Sequence, residues 1–153
     1  MPEELQIREM HAEDDAAVSS LVGQLGYQRT AEQIREWIAD LSHANCEQAA
    51  YVACVDEQVV GWIEISIERR LQSPPFAMIG GLVVSDGYRG HGIGRLLCER
   101  AEQWAWMQGL ETLRVTSRST RVDAHRFYLR DGYREVKRSL VFEKQRPAKT
   151  GRP

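Results

Sequence analysis

The stretch that decides the fold is Phe76–Trp106, which reads FAMIGGLVVSDGYRGHGIGRLLCERAEQWAW. Its first part, Ala77–Val84, is apolar and rich in β-branched residues, a pattern typical of a buried strand. The residues Ser85–Gly87 interrupt that run, and a glycine-rich turn follows at Arg89–Gly94. From Ile93 onward, apolar residues recur at helical spacing. The stretch therefore predicts a strand, a glycine-rich turn and a helix in succession.

The glycine-rich turn is expected to bind an anion. The first turn of a helix has backbone N–H groups without acceptors, and they lie at the positive end of the helix dipole. Phosphate is the natural ligand for such a group of donors. No Lys-Ser or Lys-Thr pair follows the glycines, so the turn is not a P-loop. The spacing of Gly90, Gly92 and Gly94 also differs from the dinucleotide-binding fingerprint.

The turn resembles the acyl-CoA-binding loop of the GNAT superfamily of N-acetyltransferases. The superfamily pattern (Gln/Arg)-x-x-Gly-x-(Gly/Ala) is matched by Arg89, Gly92 and Gly94. By this resemblance, backbone N–H groups of the turn take the pyrophosphate of acetyl-CoA, and the central strand pairs with its pantetheine arm. The cofactor-binding residues that it implies are Leu82, Val83, Val84, Arg89, Gly90, His91, Gly92, Ile93, Gly94, Arg95 and Arg121.

The rest of the chain supplies strands and helices on either side of this stretch. The full order, β-α-α-β-β-β-α-β-α-β-β, predicts an α/β fold: one domain over residues 1–153, with a mixed sheet and helices on both faces. Its last two strands are expected at Tyr133–Val136 and Leu140–Glu143. The order is similar to the GNAT acyl-CoA N-acyltransferase fold from about Leu5 to Glu143. The basic tail, residues 144–153, is expected to be disordered.

A second pattern lies in the segment between Ser117 and Tyr133. GNAT enzymes often carry Ala-x-x-Phe-Tyr-x-x-x-Gly-(Phe/Tyr), which Ala124, Phe127, Tyr128 and Gly132-Tyr133 match here. The resemblance implies that Tyr128 is the general acid that protonates the departing CoA thiolate. A phenol has an ordinary pKa near 10, so it is protonated at neutral pH and able to donate. The alternative is a core tyrosine with a satisfied hydroxyl group.

The general base does not follow from the resemblance. In histone acetyltransferases of the superfamily it is a glutamate on the central strand, and Met78 occupies that position here. The best candidate for the base is instead Glu64, which lies on the neighbouring strand and on the face opposite Ile63. The alternative is that Glu64 is a surface carboxylate without a catalytic role. Arg121, where many relatives carry asparagine, either touches a CoA phosphate or caps the following helix.

By the resemblance to GNAT enzymes, the acceptor is expected between the first two helices and the last hairpin. The candidate residues there are Leu25, Gly26, Tyr27, Trp37, Trp62 and Glu64. The resemblance implies an acetyl-CoA-dependent N-acetyltransferase, and acidic residues near the site suit a cationic amine as its acceptor. Its acceptor would be a primary amine of a small molecule, aminoglycoside- or polyamine-like, attacking directly in a ternary complex. Two alternatives stay open: an acyl-CoA-binding sensor without catalysis, and a protein lysine or N-terminal acetyltransferase.

Composition narrows the class of protein. The 153 residues are 42% hydrophobic and 27% charged, as in ordinary soluble globular proteins. A net charge of −2 argues against a nucleic-acid partner, and no apolar run approaches transmembrane length. The three cysteines are scattered, so we expect no disulfide framework. The sequence has no HExxH pattern, so we expect no metal site of that kind. We expect a cytoplasmic protein without a metal; the resemblance leaves a homodimer open.

Overall fold

Five β-strands and four α-helices form in the part of the chain that the computed structural model describes, residues 4–41, 43 and 47–148. The chain divides into a first unit that ends at Thr116 and a second unit that begins at Ser117. The five strands and three of the helices lie in the first unit, and the fourth helix lies in the second. Residues 149–153 of the tail that we expect to be disordered lie outside the described residues.

The strands form one mixed sheet. The elements are β1 (Leu5–Glu9), α1 (Asp15–Gln24), α2 (Ala31–Leu41), β2 (Gln48–Val55), β3 (Gln58–Glu68), β4 (Phe76–Val84), α3 (Ile93–Met107), β5 (Leu113–Val115) and α4 (Val122–Arg130). The sheet order is β1-β2-β3-β4-β5, with antiparallel neighbours except for the parallel pair β4 and β5. The mixed α/β sheet predicted from the element order is confirmed.

Local sequence signals fix several element ends. At the start of α2, the Thr30 hydroxyl accepts a hydrogen bond from the Gln33 N–H (3.1 Å), and the Gln33 side chain accepts one from the Thr30 N–H (3.0 Å). These reciprocal hydrogen bonds form a capping box, whose sequence pattern is a Thr followed three residues later by a Gln. Between β2 and β3, Asp56 and Glu57 both have positive φ, 49° and 71°. Two consecutive left-handed residues match the twist of a tight hairpin, so this turn sets the register of the two strands.

Alternate residues of the central strands pack on opposite faces of the sheet. Val52 on β2 and Trp62 on β3 belong to the core cluster that includes the apolar residues of α1 and α2. On the other face, a Cβ atom at Gly61 would lie 3.3 Å from the side chain of Leu97 on α3. Ile63 shares that second face and is fully buried. Helices therefore cover both faces, as the sequence predicts.

The pairing of β3 with β4 contains one break in register. Glu64 pairs with Gly81, but the next residue, Ile65, pairs with Ile79. Gly80 is left without a partner, which makes it the extra residue of a β-bulge. A bulge bends its strand and disturbs the ladder locally.

The two last strands predicted from the sequence are not formed. Across the described residues 133–148 of the second unit, the backbone is neither helical nor extended in a ladder. Leu140, Val141 and Phe142 are 81%, 92% and 86% exposed, so their burial does not offset the entropy lost on ordering. Two short strands without a third strand or a packed face are marginally stable at best.

We predict that Leu97→Ala destabilises the protein far more than Leu96→Ala. Leu97 is 0% exposed on the buried side of α3, whereas its neighbour Leu96 is 38% exposed. Truncating a buried leucine leaves a cavity and costs about 2–5 kcal/mol, while a surface change costs about 0.5 kcal/mol. Urea unfolding of both variants measures the difference. Equal losses of stability would contradict the packing of α3 described above.

Candidate functional site

The glycine-rich turn presents unpaired backbone donors to solvent. Gly90 and Gly92 have φ of 83° and 78°, a conformation that side chains with a Cβ atom rarely adopt. Gly92 is the N-cap of α3, and its carbonyl accepts the first helical hydrogen bond from the Leu96 N–H (3.1 Å). No side chain caps this helix. Within the described ranges, the N–H groups from His91 to Arg95 donate to no backbone acceptor, so they are available to an anion.

Two arginines flank these donors. The Arg89 guanidinium lies 2.9 Å from the Asp86 carboxylate, and the Arg95 side chain lies 3.2 Å from that of Glu99. All four side chains are largely exposed, and such surface ion pairs contribute little to stability. Both arginines can therefore exchange their present partner for a phosphate at small cost.

The strand that leads into the turn has a free edge. β5 pairs only with Ala77–Ile79, so no strand in the described part of the first unit pairs with β4 beyond the bulge on that side. The Ser85 N–H donates to the Val60 carbonyl (2.7 Å), which shows that this residue faces β3. By alternation, the backbone groups of Leu82 and Val84 point toward the free edge.

A side chain from α1 fastens the end of this strand. The Gln24 amide donates to the Val84 carbonyl (2.8 Å) and its oxygen accepts from the Asp86 N–H (3.1 Å). Because Gln24 occupies the Val84 carbonyl, the backbone polar groups left at the free edge are the N–H and carbonyl of Leu82 and the N–H of Val84. Sequence reasoning missed Gln24, because a glutamine at a helix end carries no local pattern that indicates a distant partner.

A cavity of about 160 Å³ lies between α1, α2 and β3. Its wall includes three of the residues expected to contact an acceptor, Trp37, Trp62 and Glu64. Leu25, Gly26 and Tyr27 are not among the residues that line it. The remaining lining residues, which sequence reasoning missed, are Met10, Val18, Val22, Arg29 and Ile34.

Two glycines on β4 make room for the polar wall of this cavity. A Cβ atom at Gly80 would lie 2.6 Å from a Glu64 carboxylate oxygen, and one at Gly81 would lie 2.5 Å from the Trp62 ring. Side chains at these positions would displace both groups, so the bulge and its neighbour hold Glu64 against the backbone of β4. The Gly-Gly pair within an otherwise apolar strand is the sequence signal for this close approach.

The polar groups of the cavity are poorly solvated. Burial raises the pKa of the Glu64 carboxyl, because a desolvated carboxylate is disfavoured relative to the neutral acid. The Trp62 ring is buried, and its Nε1–H has no acceptor in the described part of the chain. The cavity thus offers a carboxyl group with an increased affinity for a proton.

The second unit presents its aromatic residues on α4. Tyr128 is half-buried and contacts Phe127 and Tyr133 edge-on, with ring centroids 5.2 Å and 5.6 Å apart. The Tyr133 N–H donates to the Tyr128 carbonyl (3.0 Å), which ties the chain after the helix back to it. Arg121 occupies the N-cap position, but its side chain makes no capping hydrogen bond. The roles of Tyr128 and Arg121 in chemistry stay predictions.

The described residues form neither a metal site nor a membrane-spanning helix. Among them, no three His, Cys, Asp or Glu side chains are grouped so as to hold a metal ion. No helix in the described ranges is both long and apolar enough to span a membrane.

Comparison with known proteins gives concordant matches. The model of the acetyltransferase (GNAT) family matches residues 8–133. The aminoglycoside N(6')-acetyltransferase type 1 of Stenotrophomonas maltophilia is 29% identical over 141 residues, covering 89% of this chain and 90% of that protein. The aminoalkylphosphonate N-acetyltransferase of Salmonella typhimurium is 38% identical over 79 residues, 51% of each chain.

Solved structures show the same fold. An aminoglycoside N-acetyltransferase, AAC(6')-Iy in complex with CoA, superimposes with a TM-score of 0.83 at 17% identity, over 95% of this chain and 97% of that one. A putative acetyltransferase from Agrobacterium tumefaciens gives a TM-score of 0.80 at 19% identity, over 91% and 99% of the two chains.

We predict that Glu64→Gln raises the melting temperature at about pH 8 and loses this advantage near pH 4. The raised pKa means that folding favours the protonated carboxyl. Its stabilising contribution is present at low pH and lost as the pH rises through the raised pKa. Glutamine keeps the neutral shape at every pH. The shift should be about 2–4 °C for each kcal/mol gained.

The matched control is Glu36→Gln, at an exposed position of α2. A surface substitution of this kind is expected to change stability by less than about 0.5 kcal/mol at either pH. Calorimetry at both pH values makes the comparison. A Glu64→Gln variant that melts no higher than the parent protein at pH 8 would show that Glu64 is well solvated.

Proposed function

This chain belongs to the GNAT acetyltransferase family, and from that premise we propose that it transfers the acetyl group of acetyl-CoA to a primary amine of a small molecule. The observation that carries the proposal is the arrangement along β4. The free backbone edge and the exposed N–H groups of the following turn lie at one end of the strand, and Glu64 lies against its bulge. The matched range 8–133 spans both units, which supports treating them as one catalytic domain.

The backbone of the turn and of β4 is proposed to hold acetyl-CoA, which supplies an acetyl thioester. The N–H groups of His91–Arg95 would bind the pyrophosphate, as donors at a helix N-terminus do. The positive φ at Gly90 and Gly92 supports this, since it brings the backbone itself to the surface. An extended ligand arm with amide groups would pair with the free edge at Leu82 and Val84, as an added strand does.

Glu64 is proposed as the group that removes a proton from the amine. Only a neutral amine is nucleophilic, so an acceptor of its proton is needed. The raised pKa of Glu64 makes its carboxylate a better proton acceptor than an exposed one, and its place at the bulge puts it beside the strand that would carry the thioester. Met78, at the position of the base in some relatives, has no group that takes a proton.

Tyr128 is proposed to donate a proton to the departing thiolate. The proposal comes from the family pattern around Phe127 and Tyr128. The edge-on contacts of the Tyr128 ring with Phe127 and Tyr133 support it, because they fix the direction of the hydroxyl group.

The relatives support a small-molecule acceptor of one of two kinds. One relative is named for an aminoglycoside, which carries several amines, and another for an aminoalkylphosphonate, which carries an amine and an acidic group. The alternative function is that of a binding protein without catalysis. It is favoured by Met78, because methionine stands where some relatives carry the general base. Thiol release from acetyl-CoA in the presence of a panel of amines separates an enzyme from a binding protein.

We predict that Gly92→Glu weakens CoA binding by at least about tenfold, since one charge-assisted contact is worth about 1.5–3 kcal/mol. The substitution places a side chain and a negative charge at the proposed pyrophosphate site. Gly109→Glu is the control. Gly109 ends the same helix at its other end, has nearly the same φ, 80°, and likewise has open space around it. Isothermal titration with CoA compares the two variants, and equal weakening would exclude a specific role for the turn.

We predict that Tyr128→Phe lowers kcat by at least about tenfold, with little change in the affinity for acetyl-CoA. The variant keeps the ring contacts and removes the proposed proton donor. Tyr133→Phe, which removes the hydroxyl group of the ring packed against Tyr128, is the control. Steady-state thiol release measures both variants. Unchanged turnover in Tyr128→Phe would leave this tyrosine with a packing role alone.

A further inference from the structure

The size of the cavity limits the part of an acceptor that it encloses. Its volume of about 160 Å³ is close to that of a cavity that holds benzene and below the 300–1,000 Å³ typical of sites for drug-sized ligands. One ring or a short alkyl chain fills it. A molecule of several sugar rings would have to lie mostly outside.

Most of the wall is apolar. Val18, Val22 and Ile34 are buried side chains of the core, and they form the wall together with Trp37 and Met10. Burying hydrocarbon against such a wall is favourable, whereas enclosing further ammonium groups there costs desolvation free energy. The enclosed body of the ligand is therefore expected to be hydrocarbon.

The cavity wall contains one acidic and one basic side chain. Glu64 is the carboxylate among the lining residues, and Arg29, on the loop between α1 and α2, is the cation. Arg29 forms no ion pair in the described part of the chain, whereas the nearby acids Asp14 and Asp15 are already paired with arginines at 2.8 Å and 2.6 Å. A polycation would bring several ammonium groups to one carboxylate and one guanidinium. A ligand with one amine and one acid satisfies both.

The Trp62 indole is a further polar group of the residues that line the cavity. Its Nε1–H is buried, lies in a residue that lines the cavity, and has no acceptor among the described residues. A buried donor without an acceptor costs about 1–3 kcal/mol. Because the Nε1 atom is closed to solvent, a ligand in the cavity would be recognised by the two charged side chains and not by this donor.

We propose that the acceptor is a compact amine with a hydrocarbon body and an acidic group, a carboxylate or a phosphonate. Its amine lies at Glu64, and its acidic oxygens are recognised by Arg29. This inference rests on the proposed function and names the substrate class of the same site. Glu64 takes the proton from the amine, and the acidic group stays unchanged in the product.

Three amines of similar length test the inference, since they differ only at the far end: 3-aminopropylphosphonate, butylamine and 1,4-diaminobutane. The ends are an acid, a methyl group and a second ammonium group. We expect kcat/KM for the phosphonate to exceed that for each of the other two by about tenfold or more, the value of a charge-assisted contact. Thiol release and mass spectrometry of the products give the three constants.

Two substitutions, Arg29→Ala and Arg29→Lys, test whether the Arg29 guanidinium causes the preference for the phosphonate. The expected ratio of kcat/KM for phosphonate to butylamine falls toward one in Arg29→Ala and recovers in part in Arg29→Lys. A parent protein that prefers diaminobutane, or an unchanged ratio in Arg29→Ala, would overturn this inference and leave the N-acetyltransferase proposal intact. If the protein binds acetyl-CoA but acetylates none of the three amines and no aminoglycoside, the proposed function itself would be contradicted.

Discussion

The break in register between β3 and β4 is the constraint on which the site depends. Because Gly80 has no partner, β4 bends at the bulge, and its pairing with β5 is confined to the residues before it. The strand beyond the bulge is bound on the β3 side and free on the other. The same absence of a side chain at Gly80 gives the Glu64 carboxylate its place. One irregularity thus accounts for both a backbone edge that can receive a ligand and a carboxyl group beside it.

The sheet places two different kinds of recognition on this strand. On the α3 side and at the strand end, we propose recognition by the backbone, because the turn at Gly92 offers N–H groups. The flanking Arg89 and Arg95 add positive charge, and their exposed ion pairs cost little to break. On the α1 and α2 side, we propose recognition by side chains that line the cavity, Arg29 and Glu64. The half-buried Glu64 carboxyl is desolvated and the Trp62 indole donor is buried without an acceptor in the described residues, so both lower stability.

Much of this arrangement follows from local patterns. Alternation in β3 correctly assigned Ile63 and Glu64 to opposite faces, and the capping box at Thr30 marked the start of α2. The bulge, the Gln24 bridge and the place of Arg29 could not be predicted, because they depend on contacts between segments far apart in the sequence. The apolar run at Leu140–Phe142 indicated a strand, but a strand needs a neighbour as well as a suitable composition. Which residues hold acetyl-CoA stays a prediction from the family pattern.

The most direct test of this account is a crystal structure of the protein with CoA bound. The account predicts pyrophosphate oxygens within hydrogen-bonding distance of the N–H groups from His91 to Arg95. It also predicts amides of the pantetheine arm paired with the free edge of β4 at Leu82 and Val84. CoA bound elsewhere on the protein, or bound through side chains with the β4 edge left empty, would contradict the claim that the bulged strand and its glycine-rich turn form the cofactor site.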